Sequence, residues 1–286
     1  IAVGLNTDEE SKGGKFSCKI RAISSKRSRA VYSSGCNCGY SNRVRIVNGS
    51  PTGVNQYVFM AGLVDSVSRS IVCGATLISN KYVITAAHCI RNLNVANTAV
   101  VLGEHDTSTD TQATILVRTR SFKSYPYYNA DSKKYDIALI ELNTAVTFNN
   151  NIGPACLPFT SANWELTGQV VTVLGWGTTE YGGPRSSVLL QTNLNIVDIQ
   201  QCQDTLEGDI DSYTQYCTIA QNTDSCQFDS GGPLVWINPN TNRYQIVGLI
   251  SYGRGCAFGY PAVNTRLAPF LQWILDNTTG ENFCAL

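Results

Sequence analysis

The stretch DSCQFDSGGP, Asp224 to Pro233, decides how this chain is read. It sets Ser230 between an aspartate and a glycine pair, with Phe228 two residues ahead. On its own, a serine between Asp and Gly is usually part of a loop. Two upstream segments alter that reading: VITAAHC with His88, and YDIALIEL with Asp136. Each of these is weak alone. Histidine is scarce, with only His88 and His105, and a lone His is more often structural than reactive. An Asp before an apolar strand is usually a turn residue. In the order His, Asp, Ser, however, the three supply what a nucleophilic serine requires. Its hydroxyl is a poor nucleophile near neutral pH, so a neutral imidazole must take the proton as attack begins. The imidazolium formed then needs a buried anion to hold its tautomer and offset its charge.

The totals agree with a disulfide-bonded extracellular chain. Its 286 residues allow one or two domains with a sizeable core. Charged residues make up 15%, with 21 basic against 21 acidic, so there is no broad basic face for nucleic acid. No apolar run approaches the roughly 20 residues that span a bilayer, so a soluble chain is expected. Ile1 is not an initiator methionine, and a processed or trimmed product is expected. None of the eleven cysteines forms a paired C-x-x-C zinc pattern, and CNC at Cys36–Cys38 is C-x-C. Disulfides in an oxidising compartment are the better reading, with the odd count leaving at least one thiol without an internal partner. Sequons at Asn48 and Asn277 are compatible with secretion.

Residues 1–35 are polar, charged and glycine/serine-rich apart from FSCKIRAI, and read as a flexible or loosely attached segment. From Ile46 the texture changes to short apolar-alternating runs such as CGATLISNKYVITAAHC, GQVVTVLGWG and YQIVGLISYG. Many short strands without helical spacing predict antiparallel β-barrels or a sandwich. The one clear helix is terminal. In LAPFLQWILDN, Leu267, Phe270, Leu271, Ile274 and Leu275 recur at helical spacing.

The His88, Asp136 and Ser230 segments, with NRVRIVNG before them and SYGRGC after, resemble the chymotrypsin/trypsin family of serine endopeptidases over residues 46–280. The resemblance implies an all-β fold of two antiparallel six-stranded β-barrels with a C-terminal α-helix. It also divides the chain into a propeptide or linker, 1–45, and a protease domain, 46–286. By the family's template His88 is the general base, Asp136 its orienting anion and Ser230 the nucleophile. The oxyanion donors are the backbone N–H groups of Ser230 and Phe228. Phe228 stands where the family has glycine. It keeps its N–H, but a positive φ there would strain it by ~1–3 kcal/mol. A slow or selective enzyme is expected. The alternative is a non-catalytic homologue that binds a partner.

Further expectations follow from the same resemblance. Cleavage between Arg45 and Ile46 frees an α-amino group that pairs with Asp229, ordering the loop of Phe228 and Ser230. The unbroken chain is then an inactive precursor, activated by a protease that cuts after basic residues. Asp224 marks a pocket floor that selects Arg or Lys. Ser251 and Gly253 match the strand beside the substrate. Ala262, in place of the usual glycine, crowds the pocket's back wall. The expected disulfides are Cys73–Cys89, Cys202–Cys217 and Cys226–Cys256. Cys156 is expected to pair with Cys36 or Cys38, and the remaining one of that pair with Cys284. Cys18 faintly resembles the last strand of a CUB domain, with its partner upstream. Val171 and Trp236 stand where a further family bridge would be. LGEHDTSTD resembles a calcium loop with Glu104, Asp106 and Asp110, although an ordinary solvated loop is the better reading and no cofactor is expected. Partners are protein or peptide substrates, the activating protease and protein inhibitors.

Overall fold

The computed structural model describes residues 30–33, 36–41, 50–109, 111–178, 183–206, 209–220, 230–253 and 260–284. In chain order, two short strands come first, β1 (Val31–Ser33) and β2 (Ser50–Pro51). The first barrel follows: β3 (Met60–Asp65), β4 (Ser70–Leu77), β5 (Tyr82–Thr85), β6 (Thr98–Leu102), β7 (Ile115–Ser124) and β8 (Ala138–Leu142). These six pair in the closed antiparallel order β3-β4-β5-β8-β7-β6. The period-2 pattern that marked them explains the closure. On β7, Val117 and Thr119 point inward while Leu116, Arg118 and Arg120 stay exposed. Leu63, Leu77, Leu102, Ile140 and Leu142 fill the interior.

The second barrel comprises β9 (Val170–Gly175), β10 (Leu190–Val197), β11 (Gln215–Ala220), β12 (Pro233–Asn238), β13 (Arg243–Gly253) and β14 (Ala262–Arg266). Its order is β11-β14-β13-β12-β9-β10, and β10 pairs back on β11 to close it, with β2 added at β10. Val171 and Trp236, the two residues without a cysteine, are buried in this core instead. A third apolar cluster joins the barrels through Phe59, Ile84, Leu157, Trp176, Ile246 and Phe270. Each such side chain, fully buried, contributes about 1.5–3 kcal/mol over its exposed state. The two antiparallel six-stranded barrels of the expected all-β fold are therefore present.

Among the described residues three short α-helices accompany the barrels: α1 (Ala87–Ile90), α2 (Ile199–Thr205) and α3 (Leu271–Asn277). The terminal helix is shorter than its apolar spacing suggested. Pro269 lies in a separate 3₁₀ turn, Ala268–Phe270, that leads into α3. Leu267, Phe270, Leu271 and Ile274 are all buried, and Leu275 packs against the same cluster. Among the described residues no helix is long and apolar enough to cross a membrane.

Residues 30–41 depart from the expectation of loose attachment where they are described. Strand β1 pairs in parallel with β15 (Asn282–Cys284), Ala30 is buried, and Tyr32 stacks on Phe159 at 4.4 Å. Two disulfides hold the segment that follows, Cys36–Cys284 and Cys38–Cys156. Between them and the body of the domain runs Gly39, at φ +62, where a Cβ would lie 2.2 Å from the Tyr244 carbonyl oxygen and 2.8 Å from Cys156 Sγ. Only glycine lets the backbone lie so close.

Candidate active site

His88 reaches the site because β5 ends against the barrel interior and turns at once into α1. Ala86 is extended, at φ −73 and ψ 144, and the single helical turn buries Ala87, Cys89 and Ile90. His88 is left on the outer side with its side chain 20% exposed. Asp136 lies two residues before β8, on a loop whose Lys133 and Tyr135 adopt φ of 54 and 57. That turn drives its carboxylate inward, to 0% exposure. A lone carboxylate there would cost several kcal/mol, but every approach to it carries a donor. Oδ2 lies 2.7 Å from His88 Nδ1 and accepts from Ser251 Oγ at 2.6 Å. Oδ1 accepts from the His88 backbone N–H at 2.9 Å. The Asp136 carbonyl accepts from Thr265 Oγ1 at 2.9 Å.

With Nδ1–H given to the carboxylate, Nε2 of a neutral His88 keeps its lone pair and faces outward as a base. The Cys73–Cys89 disulfide borders it, with Cys89 Sγ 3.8 Å from Nε2. Cys73, His88 and Cys89 have potential ligand atoms within 4.8 Å of one another, but both sulfurs are spent in the disulfide, so no thiolate is offered to a metal. Tyr128 packs against the first barrel; burial, with the Asp136 charge second, pushes its phenol up to about 12.

Ser230 is held between the barrels by its backbone. Its carbonyl accepts from the Gly74 N–H on β4 at 3.0 Å. Gly231 donates to Ile250 O at 2.8 Å, and Ile250 donates back to Gly232 O at 2.9 Å. Gly231 takes φ +79, and a Cβ there would stand 2.1 Å from Thr85 Oγ1 and 2.7 Å from Gly74 O. Glycine at position 231 is thus a steric requirement of passing between two strands.

Strand β13 ties the two halves together. Its Ile250 holds the Ser230 segment while the next residue, Ser251, reaches Asp136. The pairing of β13 with β14 shifts here, so that Ile250 faces Asn264, Tyr252 faces Val263 and Ser251 is left out of register. That bulge turns the Ser251 hydroxyl toward the carboxylate. The sequence marked Ser251 as lying alongside substrate but held no sign of its bond to Asp136. Nor did any motif point to Thr265.

Gly253 and Ala262 face each other at the end of β13 and the start of β14, and a Cβ on Gly253 would sit 3.2 Å from the Ala262 Cβ. The Ala262 methyl therefore occupies the face that two glycines would leave open. Besides Cys73–Cys89, the Cys202–Cys217 disulfide joins α2 to β11. Arg45, Ile46, Asp224, Phe228, Asp229, Cys18 and the pair Cys226 and Cys256 lie outside the described residues. So does Asp110 of the calcium-like loop. Of its other carboxylates, Glu104 Oε1 accepts from the His105 N–H, and Asp106 Oδ1 from the N–H and Oγ of Ser108. No group of three metal-ligating side chains forms there among the described residues.

Comparison with known proteins matches this geometry. The Trypsin family profile matches residues 46–274. The chain is 39% identical over 279 residues to venom serine protease 34 of Apis mellifera, covering 96% of this chain and 67% of that protein. It is 36% identical over 252 residues to a venom serine protease of Polistes dominula, covering 87% and 91%. Against the proclotting enzyme of Tachypleus tridentatus it is 33% identical over 259 residues, covering 84% and 68%. With two closed barrels, and with His88 and Ser230 both bordering the seam between them, the chain belongs to the trypsin family of serine endopeptidases.

Proposed function

We propose that the chain is a secreted zymogen which, once cut after Arg45, hydrolyses peptide bonds after Arg or Lys through an acyl-enzyme. The observation that carries the reading is Asp136: a fully buried carboxylate bonded at once to His88 Nδ1, the His88 N–H and Ser251. A preorganised anion of this kind is of use to a histidine that must become charged during turnover. In the proposed cycle His88 Nε2 takes the Ser230 proton as Oγ bonds to the peptide carbonyl carbon. The same proton passes to the leaving amine as the C–N bond breaks. Water, deprotonated by His88, then attacks the ester; the bond to Oγ breaks, His88 returns the proton to Ser230 Oγ, and the acid is released. The N–H groups of Phe228 and Ser230 receive the oxyanion in both halves.

Activation is assigned to Arg45, Ile46 and Asp229, with residues 1–45 as the propeptide and a protease that cuts after basic residues as the activator. Asp224 is assigned the pocket floor, and Ser251, Gly253 and Ala262 its wall. The Ala262 methyl facing Gly253 supports a pocket narrower than one lined by two glycines. Four disulfides among the described residues support an oxidising, extracellular setting. Protein substrates and protein inhibitors are the partners this reading implies.

The test is to cleave the chain after Arg45 with trypsin, remove the trypsin, and assay an arginyl-amide chromogenic substrate. Uncleaved protein and an identically treated Ser230→Ala variant are the controls. Hydrolysis by the cleaved wild type alone supports enzyme, switch and basic preference together. Activity in Ser230→Ala would sink the nucleophile assignment. Silence on arginyl, lysyl and aromatic substrates would favour the binding homologue, with Phe228 closing the site.

A further inference from the structure

A cavity of about 680 Å³ lies where residues 39–41 cross the second barrel. Small-ligand sites run from ~300 to ~1,000 Å³. One wall is the crossing segment itself: the Gly39 carbonyl accepts from the Tyr244 N–H at 3.0 Å, Ser41 pairs with Tyr57, and Cys38–Cys156 anchors it. Another is the turn between β12 and β13, where the N–H groups of Thr241 and Asn242 both donate to Asn238 O, at 3.3 and 2.8 Å. Thr172 and Asn193, paired across β9 and β10, complete it. None of these residues belongs to the His88, Asp136 or Ser230 segments.

The polar groups here are uncharged and partly unspent. Gln56 is 4% exposed, and its Oε1 accepts from the Gly53 N–H at 2.8 Å. That bond fixes the amide, so Nε2 carries two hydrogens with no partner among the described residues. The Thr241 hydroxyl is buried, also without a partner among the described residues. Asn193 Oδ1 is taken by the Thr172 hydroxyl at 2.9 Å, which leaves its Nδ2 as donor. Asn242 stands exposed at φ 53. Tyr57 and Tyr244 meet edge-on at 5.2 Å and set apolar ring surface among the amides. Among the described lining residues there is no carboxylate, and the one cation, Arg243, has its guanidinium 3.4 Å from the centroid of the Tyr40 ring.

We propose that this cavity binds a neutral saccharide bearing N-acetylamino groups. The acetamido carbonyl accepts from Gln56 Nε2, while its N–H and the sugar hydroxyls pair with the Thr241 hydroxyl and the amides of Asn193 and Asn242. The C–H face of the sugar ring rests on the tyrosine surface. Amides and hydroxyls donate as well as accept, which suits a ligand whose own groups do both. A cationic ligand would meet no countercharge, and an anionic one only an arginine already seated on a ring. Because Cys38–Cys156 holds residues 39–41, both sides of the cavity stay together after a cut at Arg45. Binding there needs no catalytic step and stands apart from the protease reading.

The test is isothermal titration of the full-length, uncleaved chain with N,N′-diacetylchitobiose. Cellobiose, its counterpart without acetamido groups, and glucuronic acid, an anionic sugar, are the comparisons. Diacetylchitobiose is expected to bind with a Kd of about 1 mM or below, about five- to tenfold more tightly than cellobiose. Gln56→Glu keeps the oxygen that the Gly53 N–H reaches and replaces the donor with an acceptor. Asn242→Gly keeps the positive φ and removes an exposed amide, so it leaves the buried residues untouched and the Tm near wild type. Each variant should weaken diacetylchitobiose about five- to tenfold. Equal affinity for the two disaccharides overturns the proposal, as does wild-type affinity in both variants. So does tighter binding of glucuronic acid than of either disaccharide, or no measurable binding at ~10 mM sugar.

Discussion

Gly231→Ala tests whether the glycine after Ser230 is held by sterics. At φ +79 an alanine incurs about 1–2 kcal/mol of local strain. The larger effect is contact. The new methyl would stand 2.1 Å from Thr85 Oγ1, where ordinary contact begins at 3.4 Å, so one side must move by 1.3 Å (3.4 minus 2.1). Thr85 cannot retreat freely, because its hydroxyl donates to Gly74 O at 2.8 Å and β5 is pinned on both sides. The movement therefore falls on the Ser230 segment. A displacement of about 1 Å at a reacting group costs on the order of 100-fold in rate. Cleaved Gly231→Ala should lose about two orders of magnitude in kcat/KM on an arginyl amide, mostly in kcat, and melt several degrees lower. A variant that keeps activity within threefold of wild type and the same Tm would refute the reasoning.

Other outcomes follow from neighbouring contacts. Ser251→Ala removes a donor from a buried carboxylate, a loss of about 1.5–3 kcal/mol, and should lower Tm by several degrees in calorimetry. Ala262→Gly opens the face opposite Gly253. It should change the ratio of arginyl to lysyl kcat/KM by about 5–30-fold, corresponding to about 1–2 kcal/mol, and an unchanged ratio removes Ala262 from the pocket. After cleavage at Arg45, residues 1–45 should stay attached in Cys36→Ser/Cys284→Ser and in Cys38→Ser/Cys156→Ser. They should leave only when all four are replaced, read on non-reducing gels.

The barrels were legible because β-strands announce themselves locally, through period-2 alternation and turn residues. The His88, Asp136 and Ser230 segments stand out in the sequence for a similar reason: each is a short contiguous motif. What stayed hidden depends on register and on distant pairing. Nothing in ISYGRG shows that Ser251 drops out of the ladder, and the Asp136 bond follows only from that slip. Thr265 is one of many threonines until β14 lies beneath Asp136. The CNC pair left two partners open for each cysteine. The parallel pairing of β1 with β15 leaves Cys36 beside Cys284 and Cys38 beside Cys156. The helix was over-extended because apolar spacing continues through Pro269, whereas α-helical bonding starts after it.

The Cys36–Cys284 bond has a topological consequence. Its sequence separation of 248 makes the domain a nearly complete covalent ring. Closing so long a loop removes about 5 kcal/mol of denatured-state entropy in the chain-entropy account. It also changes what a nick can do. One backbone cut anywhere between the two cysteines opens the ring without releasing a fragment, as a split washer stays on its bolt. A chain closed in this way can take one such cut in an exposed loop and remain one molecule.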